Sequence, residues 1–285
     1  MTRHSKLRLA GWATLLLLLA PACSSSPDYG STGSGGFAGS LGGAGGAGVG
    51  GAAGGGGTSV KTMNCPDTGG PVDPTALIDD MEAGGAALPK EAGRNGDWWA
   101  GGDSLSPGAT IVPNGEVASE PIPNGGRCGS LHAKHVTGQG FTSWAVFSVT
   151  LATGPVDGGG YTALPYDARI RTGLTFWARI GDTSANQVRF AVSDKYTRPE
   201  GGICDPNAPT GSTACYDTPG VDLKPLGTTW TQYRIPFAGL GQRNFGMKEP
   251  QAVGPGPDTS ALYTIDFNLY PNEIFDLWID DISFY

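Results

Sequence analysis

The sequence predicts an all-β fold, a two-sheet antiparallel sandwich, and three observations carry that prediction. Apolar residues alternate at period two in repeated stretches of the C-terminal two hundred or so residues. No stretch of a dozen residues there holds a helical stripe free of Gly or Pro. Turn-rich segments such as 153–160 and 250–257 separate the alternating runs. Roughly eight to ten strands in one domain of about 225 residues is the pattern of a sandwich or jelly roll.

Taken in order, the clearest expected strands are 77–82, 130–136, 142–151, 173–180, 187–193, 229–237, 262–270 and 275–285. The last runs flush to Tyr285, which marks it as an integral strand of the sheet.

The N-terminus reads as a signal peptide over 1–22. Arg3, Lys6 and Arg8 form a basic segment, and 9–20 form an apolar core too short for the roughly 20 apolar residues of a membrane-spanning helix. The string Leu19-Ala20-Pro21-Ala22-Cys23 resembles a bacterial lipobox with Cys23 as the lipidated residue, although Ala20 and Pro21 depart from the usual pattern. Lipid on Cys23 implies an exported protein of the cell envelope, held to the membrane by its anchor alone. Residues 23–64 are a tether, nearly all Gly, Ala and Ser over 30–57, with almost no apolar surface to bury. No predicted strand precedes these glycines and no helix follows, so they do not form a phosphate loop. The folded domain is 65–285.

The formal net charge of −8 argues against nucleic acid or an anionic membrane surface as partner, since both reward Lys and Arg. Apart from Cys23, Cys65, Cys128, Cys204 and Cys215 make an even set, for which disulfides are the default in an exported chain. Three pairings are possible. Cys204 and Cys215 flank a loop rich in Pro, Gly, Asn and Thr, which suits a local staple and leaves Cys65 for Cys128. No CxxC knuckle supports a zinc site.

Three strings together look familiar: Leu77-Ile78-Asp79-Asp80-Met81-Glu82, then Asn95-Gly96-Asp97-Trp98-Trp99, then Leu277-Trp278-Ile279-Asp280-Asp281-Ile282. With Thr175-Phe176-Trp177-Ala178-Arg179, the 204–215 loop and Trp230-Thr231-Gln232-Tyr233-Arg234-Ile235-Pro236-Phe237, they span most of 75–285. In that order they resemble galactose-binding-like jelly rolls, nearest to family 11 carbohydrate-binding modules. The resemblance implies first and last strands side by side and a structural Ca2+ near one end. Glu82 and Asp281 are its expected side-chain ligands, with Asp80 and Asp280 in the same acidic cluster and carbonyls of 125–128 helping.

A sugar wants flat aromatics for its CH faces and planar polar groups for its hydroxyls. By alternation Trp177 and Arg179 share a face, as do Arg189 and Ser193, Gln232 and Arg234, and Asp266, Asn268 and Tyr270. If those faces align in one sheet they form a polar trough with aromatic rims. The segment 142–147 departs from the family, where related domains tend to be glycine-rich, which leaves specificity open.

Enzyme readings fare worse. Gly102-Asp103-Ser104-Leu105 matches an esterase nucleophile block, but no His follows His135 to serve as base. His132 and His135, three apart on a strand, face opposite sides and cannot share a metal. Asp194, Asp217, Asp222 and Asp266 could furnish a glycosidase pair, yet nothing selects one. The sequence therefore points to a non-catalytic, monomeric, surface-tethered binder of a β-glucan-type polysaccharide. A structural or adhesion lipoprotein of the same fold is the second reading, and a stand-alone glycoside hydrolase the third.

Overall fold

The computed structural model describes residues 73–103 and 107–285, so Cys23, Cys65 and the expected signal peptide and tether lie outside the described residues. Among the described residues there is no α-helix, only strands and three short 3-10 turns. In chain order the strands are β1 (Leu77–Asp79), β2 (Trp98–Gly102), β3 (Thr110–Val112), β4 (Gly115–Glu116), β5 (Ser119–Pro121), β6 (His132–Gln139), β7 (Ala145–Thr150) and β8 (Thr153–Pro155). They continue with β9 (Tyr161–Ala163), β10 (Gly173–Ile180), β11 (Val188–Asp194), β12 (Gly220–Leu223), β13 (Thr231–Pro236), β14 (Leu262–Leu269) and β15 (Phe275–Phe284).

Two antiparallel sheets pack face to face. One has the order β13-β10-β15-β6-β3, with β1 added to β15 and β5 to β6, and the other has the order β12-β11-β14-β7-β2-β4. Successive long strands go to opposite sheets: β6 and β7, β10 and β11, and β14 and β15 each divide between the two. That alternation is the jelly-roll arrangement, and it seats β1 against β15 with Leu77 opposite Ser283. The segment 153–160, expected as a loop, instead supplies β8 to a two-stranded hairpin with β9.

Period-two alternation explains the interior. On β10 the side chains of Leu174, Phe176, Ala178 and Ile180 enter the core, and on β14 those of Ile265, Phe267 and Leu269 do so. Phe176 stacks on Phe190 at 5.0 Å between ring centroids and meets Phe267 edge-on at 5.2 Å. Each such ring removed from water contributes roughly 1.5–3 kcal/mol. The polar positions on these strands therefore point away from the core, onto the two outer faces.

Between β11 and β12 the loop is closed by the Cys204–Cys215 disulfide, with Cα atoms 5.0 Å apart. Cys128 is disulfide-bonded too. Cys65, its expected partner, lies outside the described residues.

Candidate functional site

The eight residues the sequence nominates for a sugar do not share one face. Trp177, Arg179, Gln232 and Arg234 belong to β10 and β13 of the seven-stranded sheet. Arg189, Asp266 and Asn268 belong to β11 and β14 of the other sheet, with Tyr270 just past the end of β14. The physical reason is the sheet alternation itself, which sends β10 and β11 to opposite sides of the core.

On the seven-stranded sheet the outer face is filled by stacking within the protein. Trp177 is only 6% exposed, and the Arg127 guanidinium lies over its ring at 4.5 Å. Arg179 lies between Trp278, at 4.6 Å, and Trp230, at 5.4 Å. His135 stacks on the other side of Trp278 at 3.8 Å and hydrogen-bonds Asp276 and Glu120. Arg234 rests on the Tyr285 ring. These aromatics are committed to arginine and histidine partners and offer little flat surface to a ligand.

The outer face of the six-stranded sheet is different. Crossing from its β12 edge, it presents Asp222, then Arg189, then Asp266 and Asn268, then Val146 and Ser148, then Trp99 on β2. Strand spacing makes the run from β11 to β2 roughly 14 Å, the scale of an oligosaccharide. Trp99 is 40% exposed, and Gly101 explains its pose: a Cβ on Gly101 would fall 2.2 Å from the tip of the indole. The indole therefore leans along its own strand, with its tip over the glycine. Trp144, at the β7 end of the same face, is 49% exposed.

The polar groups of this face are held in place. Asp266 accepts hydrogen bonds from the Ser148 hydroxyl at 2.6 Å and the Thr264 hydroxyl at 3.0 Å. Burial pushes its carboxyl upward, against the nearby Arg198 charge. Asp222 accepts from Arg189 at 3.2 Å and from Arg243 at 3.0 Å, and Arg243 donates also to the Tyr270 hydroxyl at 2.8 Å. Burial would raise the Asp222 carboxyl, but these donors and Tyr270 hold it below its ordinary value. Trp99, Trp144, Ser148, Arg198 and Arg243 escape the sequence reading. Of these only Trp99 carried a usable signal, an aromatic two residues before a glycine on a strand.

The acids considered for a glycosidase pair have other work. Asp194 accepts from the Tyr196, Thr197 and Asp258 amides, and Asp217 from those of Arg243, Phe245 and Gly246.

The carboxylates expected to hold calcium are also engaged by the protein. Glu82 receives the amides of Leu131 and His132 and the hydroxyl of Ser130. Its carboxyl is brought down to about 2 because these donors and His132 outweigh burial. Asp80 accepts from the Glu82 amide at 3.1 Å. Asp280 and Asp281 both pair with Arg127, through Nε at 2.8 Å and through Nη2 respectively. Among the described residues no group of three or more His, Cys, Asp and Glu is arranged to hold a metal ion. As placed, Asp280 and Asp281 hold a guanidinium, and Arg127 supplies the positive charge beside those two carboxylates.

No family model matches the sequence, and no curated protein does. Among solved structures the chain is similar to a family 11 carbohydrate-binding module from Clostridium thermocellum in complex with a β-1,3-1,4-mixed-linked tetrasaccharide. That match has 17% identity over 73% of this chain and 94% of the other, with a TM-score of 0.41. It is also similar to a family 30 carbohydrate-binding module of a cellulosomal cellulase of Clostridium thermocellum, at 16% identity over 70% and 96%, with a TM-score of 0.40. An arabinose-bound α-L-arabinofuranosidase matches at 9% identity over 74% of this chain and 26% of its own, with a TM-score of 0.36.

Proposed function

We propose that the domain binds a neutral polysaccharide, without cleaving it, across the outer face of the six-stranded sheet. The observation that carries this reading is one face on which the exposed indoles of Trp99 and Trp144 flank fixed polar groups from β7, β11, β12 and β14. Flat apolar rings beside oriented hydrogen-bonding groups are what a sugar ring needs. Charge supports neutrality of the ligand: Arg189, Arg198 and Arg243 are balanced there by Asp222, Asp266 and Glu200, while the whole chain carries −8. In this reading lipid on Cys23 holds the protein at the bacterial envelope, and a β-glucan is the first ligand to try.

The test is affinity electrophoresis of the full chain through gels containing mixed-linkage glucan, xylan or galactan, each against a glycan-free gel. Selective retardation supports the reading. Equal mobility in all gels overturns it.

A further inference from the structure

Tyr216 combines two properties that rarely coincide. Its backbone is left-handed, with φ +72°, a conformation costly for a bulky residue, yet its side chain is 52% exposed and contributes no core packing that would compensate. The surrounding structure over-determines that backbone. Cys215 before it is bonded to Cys204, and its own amide donates to the Thr197 carbonyl at 2.9 Å. Asp217 after it is buried and tied to three amides of the 243–246 turn. Thr197 is fixed in turn, since Asp194 accepts from both its amide and its hydroxyl. So much constraint holds one strained tyrosine outward.

Where it is held matters. The Arg198 guanidinium lies within electrostatic reach of both Asp266 and the Tyr216 hydroxyl oxygen, and Asp266 belongs to the outer face of the six-stranded sheet. Glu200 takes two hydrogen bonds from Arg198, at 2.9 and 3.1 Å, which limits its swing. Trp99 and Trp144 belong to the β2 and β7 side of that face, whereas the stapled loop leaves from β11.

We propose that the Cys204–Cys215 loop is a specificity wall for this face, with Tyr216 stacking on the ligand, Arg198 donating to its hydroxyls, and the disulfide acting as a positioning element. This rests on the reading of the face as a polysaccharide site. It assigns to the loop a role that the strands alone do not supply, and it makes Tyr216 a contact residue selected at the expense of backbone comfort.

The experiment uses the full chain in gels of the retarding glycan, with Tyr216→Gly, the double variant Cys204→Ser/Cys215→Ser, and Trp99→Ala as the reference for the face itself. Glycine relieves the left-handed strain while removing the ring. Tyr216→Gly is therefore expected to melt no lower than the native chain and yet to bind roughly tenfold more weakly, the loss expected of a buried aromatic contact residue. The double cysteine variant should weaken binding comparably while keeping the β-sheet circular dichroism. If Trp99→Ala loses retardation and Tyr216→Gly binds as the native chain does, the wall is refuted and the face survives. If the native chain is retarded by no glycan, both readings fail together.

Discussion

Removing the buried Arg127 side chain should destabilise the domain by several kcal/mol. Arg127 is 1% exposed, Asp280 is 0% exposed, and the two are joined at 2.8 Å. Arg127 Nε donates to Asp280 Oδ2 while Oδ1 has no hydrogen-bond partner, so Arg127→Ala leaves a buried carboxylate without the counter-charge or the hydrogen bond of that side chain. Breaking a buried pair in this one-sided way costs about 3–5 kcal/mol, which already includes the loss of the stack on Trp177. For a domain of this size each kcal/mol moves the melting temperature by about 2–4 °C, so a fall of about 6–20 °C is expected. Thermal unfolding followed by circular dichroism reads it, in excess chelator and in millimolar calcium. The native chain is expected to melt at the same temperature in both, because the Arg127 guanidinium already occupies the position between Asp280 and Asp281. Arg127→Lys should recover only part of the loss, since an ammonium cannot bridge Asp280 and Asp281 with two oriented donors. The reasoning is refuted if chelator lowers the native melting temperature by several degrees, or if Arg127→Ala melts with the native chain.

Other expectations follow from the same geometry. Gly101→Ala places a methyl where the Trp99 indole lies, so the ring must lift; glycan affinity should fall with Trp99→Ala, at a stability cost of about 1–3 kcal/mol, read by titration and by melting. Burial and the neighbouring Asp194 and Asp258 raise the Glu249 carboxyl to about 9. A raised carboxyl favours the fold below its unfolded value near 4.5, and that favour is lost as pH rises toward 9. Glu249→Gln should therefore flatten the decline in stability between these limits and gain about 1–3 kcal/mol at pH 8, discounted for partial solvent access, as urea melts across pH would show. Independently of that geometry, the proposed lipid on Cys23 is tested by Cys23→Ser, which should abolish incorporation of labelled palmitate and release the protein from the membrane fraction.

Much of the fold was legible because long strands alternate cleanly. The expected 173–180 coincides with β10, and 262–270 with β14 apart from one residue. β2 escaped because Trp98-Trp99 and Gly101-Gly102 blur the period: one indole enters the core, where its Nε1 donates to Asp79, while the other lies outside on a glycine. Sheet membership was beyond local pattern. Trp177 and Arg189 are separated by one turn in the chain and by the whole core in space, so eight candidates became two groups. Arg127 was unreadable for the same reason, because its partners Asp280 and Asp281 are more than 150 residues away and nothing local announces the pairing.

The central claim is that one outer face, and not its opposite, binds glycan. Isothermal titration of the full chain with a mixed-linkage gluco-oligosaccharide tests it most directly, comparing Trp99→Ala and Asn268→Ala with Gln232→Ala, an exposed position on the seven-stranded sheet. Affinity should fall by roughly tenfold or more in the first two, each 1.4 kcal/mol being one factor of ten, and stay native in the third. Unchanged affinity in Trp99→Ala and Asn268→Ala, or a loss confined to Gln232→Ala, would contradict it.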